Sequence, residues 1–313
     1  RRDRISLIIT TRNEGDHLRK TVDSLLANTF YPDFEALILD DASEDGSCDF
    51  LSTAPYARDE RFRYFRYDAQ KGYLSLRMEA PQLATGSVFQ FLDAHHWFAP
   101  DWLTNLYESL RRRNFEALVG PAVSVLDPDS WQPTATVGYG LTADLNQAHY
   151  FPIGRESVRA RGQVPALTGH QLMVSREVYE SVGGWCPLFQ GHCTEDPDFC
   201  FRAFILGYDC YVEPSAMIAH LHKRQFMNPV TWGQWMLNYF ILVYLNLGEE
   251  KFEELKALQK HHYGCAEGLE SFESLRPDIE RFRGWIVQRQ RRSAEELLAQ
   301  LIPLTPQPIS VSG

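Results

Sequence analysis

The sequence predicts an α/β fold: a mostly parallel sheet flanked by helices, followed by a helical C-terminal extension. Three observations carry this. Residues 5–9, Ile-Ser-Leu-Ile-Ile, are β-prone and almost continuously apolar, as a parallel strand covered on both faces should be. Apolar runs and helical spacings then alternate in the order βαβ(α)βαβαβ over residues 1–125. Several of these runs also empty into acids or histidines: Asp40 and Asp41, Asp93 and His95, His220 and His222. Strand ends are where α/β folds keep their ligands.

After the first strand, Leu18, Val22, Leu25 and Leu26 fall at helical spacing, with Asn13 or Asp16 as the expected cap. Residues 34–39 form the second strand and 61–67 the third. Residues 73–84 predict a helix stopped by Thr85-Gly86. Residues 88–92 are the fourth strand, whose apolar and aromatic run delivers Asp93-Ala94-His95 to its end. Pro100 opens a helix with Trp102, Leu103, Leu106 and Leu110 on one side, and 117–125 is the next strand. Residues 127–164 are rich in Pro, Gly, Thr and aromatics without a sustained period, which predicts an irregular excursion with room for a hairpin. A short helix over 175–182 starts at the Ser175 cap and stops at Gly183-Gly184. The next, 197–206, places Asp196 at the N-cap, Pro197 at N1 and Gly207 just past the end. Residues 208–212 and 216–219 read as short strands, and 232–259 and 280–301 as helices. The Pro/Ser-rich end reads as a frayed tail.

With 44% hydrophobic residues the chain can bury a substantial core; its net charge of −10 makes it a poor candidate for wrapping a polyanion. No stretch approaches the roughly 20 apolar residues of a membrane span. Residues 5–9 are too short for a secretory h-region, and 238–247 are apolar but also short. Six cysteines contain no CxxC pair. His192 beside Cys193 admits a zinc knuckle, yet the spacing 186/193/200/210 fits no paired-ligand pattern, so reduced thiols in a cytoplasmic protein are expected.

Asp93 and His95 stand at i and i+2, which on a strand point to the same side and can share one divalent ion. His96 alternates to the other face and is not read as a ligand. His220 and His222, again i and i+2 after an apolar run, offer a third donor. Asp40 and Asp41 either close a turn or present a carboxylate to a base N–H or ribose hydroxyl, and the pattern leaves both open. Asp196 is either a helix cap or an oriented general base, with Glu195 beside it. Lys71 and Arg77 are surface cations or partners of a diphosphate. There is no GxxxxGK[ST] and no GxGxxG, so P-loop and dinucleotide-fingerprint phosphate sites are not supported.

Together these segments resemble a glycosyltransferase of the GT-A fold, in the large inverting family 2 group, over residues 4–224. ISLIITTRNEGDHLRKTVDSLL is similar to that family's first strand and helix, and ILDDASEDGS to its VDDGSTDGT segment. TGHQLMVSREVYESVGGW resembles an acceptor-side segment ending in VGG and an aromatic. TEDPDFCFRAFILGYDCYVEP resembles the ED segment with its helix. In place of the family's DxD or DD, this chain has Asp93-Ala94-His95. With QLATGSVFQFLDAHHW around it, that motif resembles polypeptide N-acetylgalactosaminyltransferases, whose third ligand is a histidine in a segment similar to PSAMIAHLHKR.

The resemblance implies a UDP-sugar donor and Mn2+ (or Mg2+) held by Asp93, His95 and His220. It implies Thr10, Arg12, Glu14, Asp41, Lys71, Arg77 and Asp93 around the nucleotide sugar, with Asp41 accepting the uracil N–H and Arg12 replacing a common tyrosine. His170 and Trp185 fall on the acceptor side. The polypeptide transferases retain configuration and carry Glu-Asn where this chain has Glu195-Asp196, as inverting enzymes do. The expectation is therefore inversion, with Asp196 as general base and Glu195 beside it. The alternatives are a retaining peptide or protein glycosyltransferase, a nucleotidyltransferase, whose Gly-rich loop after the first strand is missing here, and a non-catalytic nucleotide-sugar-binding module. The implied layout is a catalytic domain over 1–227 (nucleotide-sugar half 1–125, acceptor half 126–227), a helical extension over 228–303 and a flexible tail over 304–313. The acceptor is a saccharide, peptide or small molecule, and no nucleic acid is expected. For the C-terminal helices a homodimer contact, a membrane-surface contact and an acceptor lid stay open, so the expected cytoplasmic location includes a membrane-peripheral one.

Overall fold

A computed structural model of the protein describes residues 3–138, 141–144, 147–150, 162–192, 194–223 and 230–301. The chain begins with β1 (Ile5–Thr11), α1 (His17–Asn28), β2 (Phe34–Asp40), β3 (Phe62–Arg66), α2 (Tyr73–Leu83) and β4 (Val88–Asp93). Next come β5 (His96–Phe98), α3 (Trp102–Arg111), β6 (Ala117–Leu126), β7 (Pro133–Gly138), β8 (Leu141–Asp144), β9 (Gln147–Tyr150), β10 (Gln163–Val164) and β11 (Met173–Ser175). The last elements are α4 (Arg176–Ser181), α5 (Glu195–Ile205), β12 (Asp209–His220), α6 (Trp232–Leu247), α7 (Glu249–Gln259), α8 (Cys265–Val287) and α9 (Ala294–Leu301).

The main sheet runs β10-β12-β6-β11-β4-β1-β2-β3. β1 is buried along its whole length and pairs in parallel with β2 and β4, as its unbroken apolar run requires. β12 is parallel to β6, and the short β11 runs antiparallel between β6 and β4. Because side chains alternate along a strand, Ile5, Leu7 and Ile9 of β1 enter one core, and Ile8 enters the other. The first core is closed by Leu18, Val22 and Leu25 of α1 and by Trp102, Leu103 and Leu106 of α3. The second contains Phe89, Phe91, Trp185 and Phe199 and continues without a break into Tyr239, Phe240, Phe252, Phe272 and Leu297 of the C-terminal helices.

Several expectations are corrected. Asp196 is not a helix cap: Thr194 takes the left-handed conformation (φ 67) and starts α5 at Glu195, so Asp196 lies inside the first turn. Asn13 does not cap α1; it accepts from the Glu44 N–H, while its own N–H donates to Ser43. Asp16 holds the cap position without a side-chain cap bond. The two strands read over 208–219 are one, β12, interrupted by a register shift between Glu213 and Met217. The long helix over 232–259 is divided by Gly248, whose φ of 93 no helix accommodates. α8 begins at Cys265, well before residue 280, and keeps Pro277 inside it. The hairpin foreseen within 127–164 is present as β8 and β9. The other residues of that excursion that lie outside the described ranges, Cys193 of the zinc-knuckle reading, and the C-terminal tail are outside the described residues. The described cysteines are free and buried. Among the described residues no helix is long and apolar enough to cross a membrane.

A buried polar network fastens the C-terminal helices to the rest. Arg202 of α5, fully buried, donates to Asp198 at 2.8 Å and to the carbonyls of Val182 and Gly184 at 2.7 and 3.0 Å. Asn246 of α6 donates to the other Asp198 oxygen at 2.9 Å. Removing one partner of such a pair strands the other charge in a dry interior, at a cost of about 3–5 kcal/mol. Arg202→Met is expected to lose stability in that range in urea unfolding, more than Asn246→Ala, which removes only a neutral donor.

Candidate active site

Strand register assembles the site. β1 and β4 lie in parallel with Thr10 opposite Asp93, so both residues reach the same edge of the sheet. β4 stops at Asp93, the chain bends at Ala94-His95, and β5 pairs antiparallel with the end of β12, setting His96 opposite His220. Sites far apart in sequence are thereby brought within hydrogen-bonding reach.

Asp93, His95 and His220 each offer a donor atom within 4.8 Å of the others. Nε2 of His220 lies 3.2 Å from Asp93 Oδ2, and Nε2 of His95 lies 3.8 Å from the same oxygen. Burial works to raise the Asp93 carboxyl, but the His220 hydrogen bond and the Arg77 charge hold it well below the usual carboxylate range. Burial pushes His220 down to about 4, so its ring is neutral at pH 7. An ionised carboxylate and neutral imidazoles are the forms that bind a divalent cation. The set fits Mn2+ or Mg2+, with Zn2+ also accommodated.

Glu14 braces this set. Both of its carboxylate oxygens lie 3.3 Å from His95 Nδ1, and one accepts from Lys223 Nζ at 2.5 Å. Burial would raise Glu14, yet the bonds to His17 and His95 and the Lys223 charge hold it far below its ordinary value. A carboxylate behind a metal-binding imidazole fixes its tautomer and raises its basicity.

Arg77 is the other organiser. Its side chain is only 3% exposed, with the guanidinium 5.0 Å from the Tyr73 ring and 5.9 Å from the Trp185 ring. Nη2 donates to Asp93 Oδ1 at 2.7 Å, while Nη1 stands 4.0 Å from Asp196 Oδ1. One cation thus spans both carboxylates. Burial raises the Asp196 carboxyl to about 6 against the opposing pull of Arg77 and a Gly169 backbone bond, and the nearby Asp93 charge adds to the rise. Asp196 Oδ1 itself accepts no hydrogen bond. Gly169 is glycine for a steric reason: a Cβ there would collide with Asp196 Oδ1 and Arg77 Nη1. Glu195 is buried beside Asp196.

The remaining expected residues are distributed unevenly. Asp41 is buried, accepts from the backbone N–H groups of Lys71 and Gly72 at 2.6 and 3.0 Å, and so shapes the loop entering α2. Arg12 donates to the Asp41 carbonyl at 3.1 Å. Asp40 closes the strand end by accepting from Ser43, Tyr64 and Arg66. The Lys71 ammonium turns to Glu79 at 2.8 Å over the Tyr67 ring. Trp185 is 3% exposed and packs against Phe91 and Phe199 beneath Arg77 rather than opening to solvent. His170 is buried and stacks on His220 at 4.1 Å.

His96 was read as pointing away, and that is overturned. The strand ends at Asp93, the bend resets the alternation, and His96 is fully buried with Nε2 3.2 Å from His170 Nδ1. The signal for it is the β5–β12 pairing, which three residues are too few to announce. Arg77's bridge, Glu14's brace and Gly169's steric need were likewise invisible, because each depends on contacts across the fold.

Residues 6–183, more than half of the chain, match the family described as Glycosyl transferase family 2. Human polypeptide N-acetylgalactosaminyltransferase 10 is 26% identical over 234 residues, which is 70% of this chain and 38% of that protein. The chain therefore spans less than two fifths of that relative's length. A crystal structure of GalNAc-T7 with UDP, GalNAc and Mn2+ superposes with a TM-score of 0.72 at 18% identity, over 89% of this chain and 55% of that one. The mannosyltransferase PcManGT from Pyrobaculum calidifontis, in complex with GDP-Man and Mn2+, superposes with a TM-score of 0.53 at 16% identity, over 98% of this chain and 77% of that one.

Glu14→Ala leaves the three metal donors in place and removes the brace on His95. Mn2+ affinity is expected to fall roughly 10–100-fold in calorimetric titration, with an unchanged circular dichroism spectrum.

Proposed function

The chain belongs to glycosyl transferase family 2, and from that premise we propose that it moves a sugar from a UDP-sugar to an acceptor hydroxyl with inversion at the anomeric carbon. Asp93, His95 and His220 hold Mn2+ or Mg2+, which when bound neutralises charge on the departing diphosphate. Residues 1–125 carry the nucleotide sugar, and 126–227 carry most of the acceptor side, with a saccharide, peptide or small molecule as acceptor. Thr10, Arg12 and Asp41 lie at or beside the C-terminal ends of β1 and β2, the edge at which α/β sheets bind ligands, which supports their contact with the nucleotide.

The observation that carries this reading is the Asp93–Arg77–Asp196 bridge. A carboxylate with a pKa of about 6 is mostly ionised at neutral pH and a stronger base than a free aspartate. Its Oδ1, which accepts no hydrogen bond within the chain, takes the proton of the acceptor hydroxyl as that oxygen attacks. Arg77 keeps this base from drifting higher, and Trp185 and Tyr73 keep Arg77 in place. Glu195 is buried next to the base.

The metal set is also the feature that resembles polypeptide transferases, so a retaining reaction on a peptide is the second reading. In that reading Asp196 takes no proton.

Asp196→Asn is expected to abolish transfer, by at least about a hundredfold, while UDP affinity measured by calorimetry changes little. The base works only when ionised, so kcat/KM is expected to fall as pH drops through about 6. Arg77→Gln removes a charge that lowers the Asp196 pKa, and the acid limb of the residual activity moves to higher pH.

A further inference from the structure

Where α6 begins, the chain leaves two large aromatic rings in water. Trp232 is 56% exposed, and Tyr263, in the turn between α7 and α8, is 77% exposed. Burying such rings is among the larger single gains open to a fold, and here that gain is forgone. The two rings touch, with centroids 6.4 Å apart and planes at 78°. Trp232 also meets His262 at 5.7 Å and Trp235 at 6.4 Å, again edge to face. Trp235 itself stacks on His262 and on Tyr239. The exposed indole is thus propped in one orientation by three neighbouring rings.

The backbone makes this arrangement possible. Gly264 has a φ of 78, and a Cβ there would collide with the Trp232 carbonyl. A Cβ on Gly233 would collide with the Glu267 carboxylate. These two glycines let the α7–α8 turn close on the first turn of α6, which sets Tyr263 beside Trp232 and Glu267 against Gly233. Contacts join this corner to the candidate active site. Asn238 of α6 accepts from the Gln190 N–H at 2.9 Å and donates to the Gln190 carbonyl at 2.8 Å. Val230 packs on Gly191, where a Cβ would stand 3.1 Å from Val230 Cγ2. His192, which follows Gly191, meets the Tyr73 ring at 6.4 Å, and Tyr73 flanks Arg77.

We propose that Trp232 and Tyr263 form a platform for a neutral saccharide, the part of the acceptor that lies beyond the hydroxyl being glycosylated. This rests on the acceptor reading above and narrows it to one class. An aromatic face carries the negative end of the ring quadrupole. The C–H groups on one face of a pyranose carry a small positive charge and lie flat on such a ring, while its rim hydroxyls turn to water or to an acceptor such as the Glu267 carboxylate. Other occupants fit less well. α7, which leads into the platform, carries Glu249, Glu250, Glu253 and Glu254 against Lys251 and Lys256, and the chain carries a net charge of −10, which disfavours an anionic membrane or an acidic polymer. A peptide draws much of its affinity from main-chain hydrogen bonds along a sheet edge. Here the platform stands on helix ends, and the start of α6 is already capped, with the Gln234 N–H on the Thr231 hydroxyl at 3.1 Å and the Thr231 N–H on the Gln234 side chain at 2.9 Å. A stable protein interface buries about 800 Å2 per partner, of which two exposed rings supply a small part.

The test uses the full chain without donor or metal. It is screened on an immobilised array of neutral oligosaccharides: α- and β-linked glucans, mannans, galactans and N-acetylglucosamine oligomers. Those that bind are titrated by tryptophan fluorescence and calorimetry. The expected result is binding to at least one neutral series that strengthens from disaccharide to hexasaccharide. Trp232→Ala is expected to weaken it by at least about tenfold, and Trp232→Phe by less. Tyr263→Ala weakens it in the same direction and carries the test if Trp232→Ala does not fold, as judged by circular dichroism and thermal melts. Phe30→Ala, at an exposed ring elsewhere, leaves it unchanged. A Ser/Thr-rich peptide and phosphatidylserine vesicles are titrated alongside. The proposal is overturned if no neutral oligosaccharide binds, if binding survives both alanine variants undiminished, or if the peptide or the vesicles bind through Trp232 in its place. The readout involves no sugar transfer, so the platform and the inverting reaction fail separately.

Discussion

One buried guanidinium between two carboxylates sets the terms for the rest of the site. Arg77 loses its hydration on the inner side of α2, and that loss is offset by Asp93 at 2.7 Å, by the more distant Asp196 and by the faces of Tyr73 and Trp185. With the His220 hydrogen bond, Arg77 holds Asp93 ionised against its burial, the form a divalent cation needs. Asp196 receives weaker compensation and settles at about 6, suited to giving and taking a proton near neutrality. Two aspartates of the same chemistry are thus held in different states, one by His220 and a close cation, the other by burial against a distant one.

The scaffold serves that geometry. Parallel pairing of β1 with β4 brings Thr10 level with Asp93, and β12 returns His220 to the same edge by pairing with β6 and β5. α5 presents Asp196 from its first turn because Thr194 adopts a left-handed conformation just ahead of it. The same helix is fixed from behind by Arg202, Asp198 and Asn246, so the C-terminal helices share a core with the helix that carries Asp196. Bare Gly169 lets Arg77 and Asp196 approach each other.

Much of this was legible in the residues. The nearly continuous apolar runs of β1, β2 and β4 point to a parallel sheet, because strands buried on both faces carry such runs. Asp93, His95 and His220 could be singled out because they follow apolar strands, and the structure brings them together. What remained hidden depends on contacts between distant segments. β11 is three residues long and antiparallel, and its place between β4 and β6 has no local signal. His96 was misjudged because strand alternation was extended past the strand's end. Asp196 was taken for a cap because a Pro at the next position suits N1, whereas the turn at Thr194 starts the helix earlier. Glu14 and Trp185 look like ligand-facing residues in sequence. In the fold one steadies His95 and the other underlies Arg77.

The account rests on Asp196 acting as a base on the acceptor's side of the sugar, which permits only direct, in-line displacement. The anomeric configuration of the first-formed product, read by NMR before mutarotation or further transfer, decides this directly. The account predicts the configuration opposite to that of the UDP-sugar donor. A product with the donor's configuration would contradict it and move Asp196 out of the proton-transfer step.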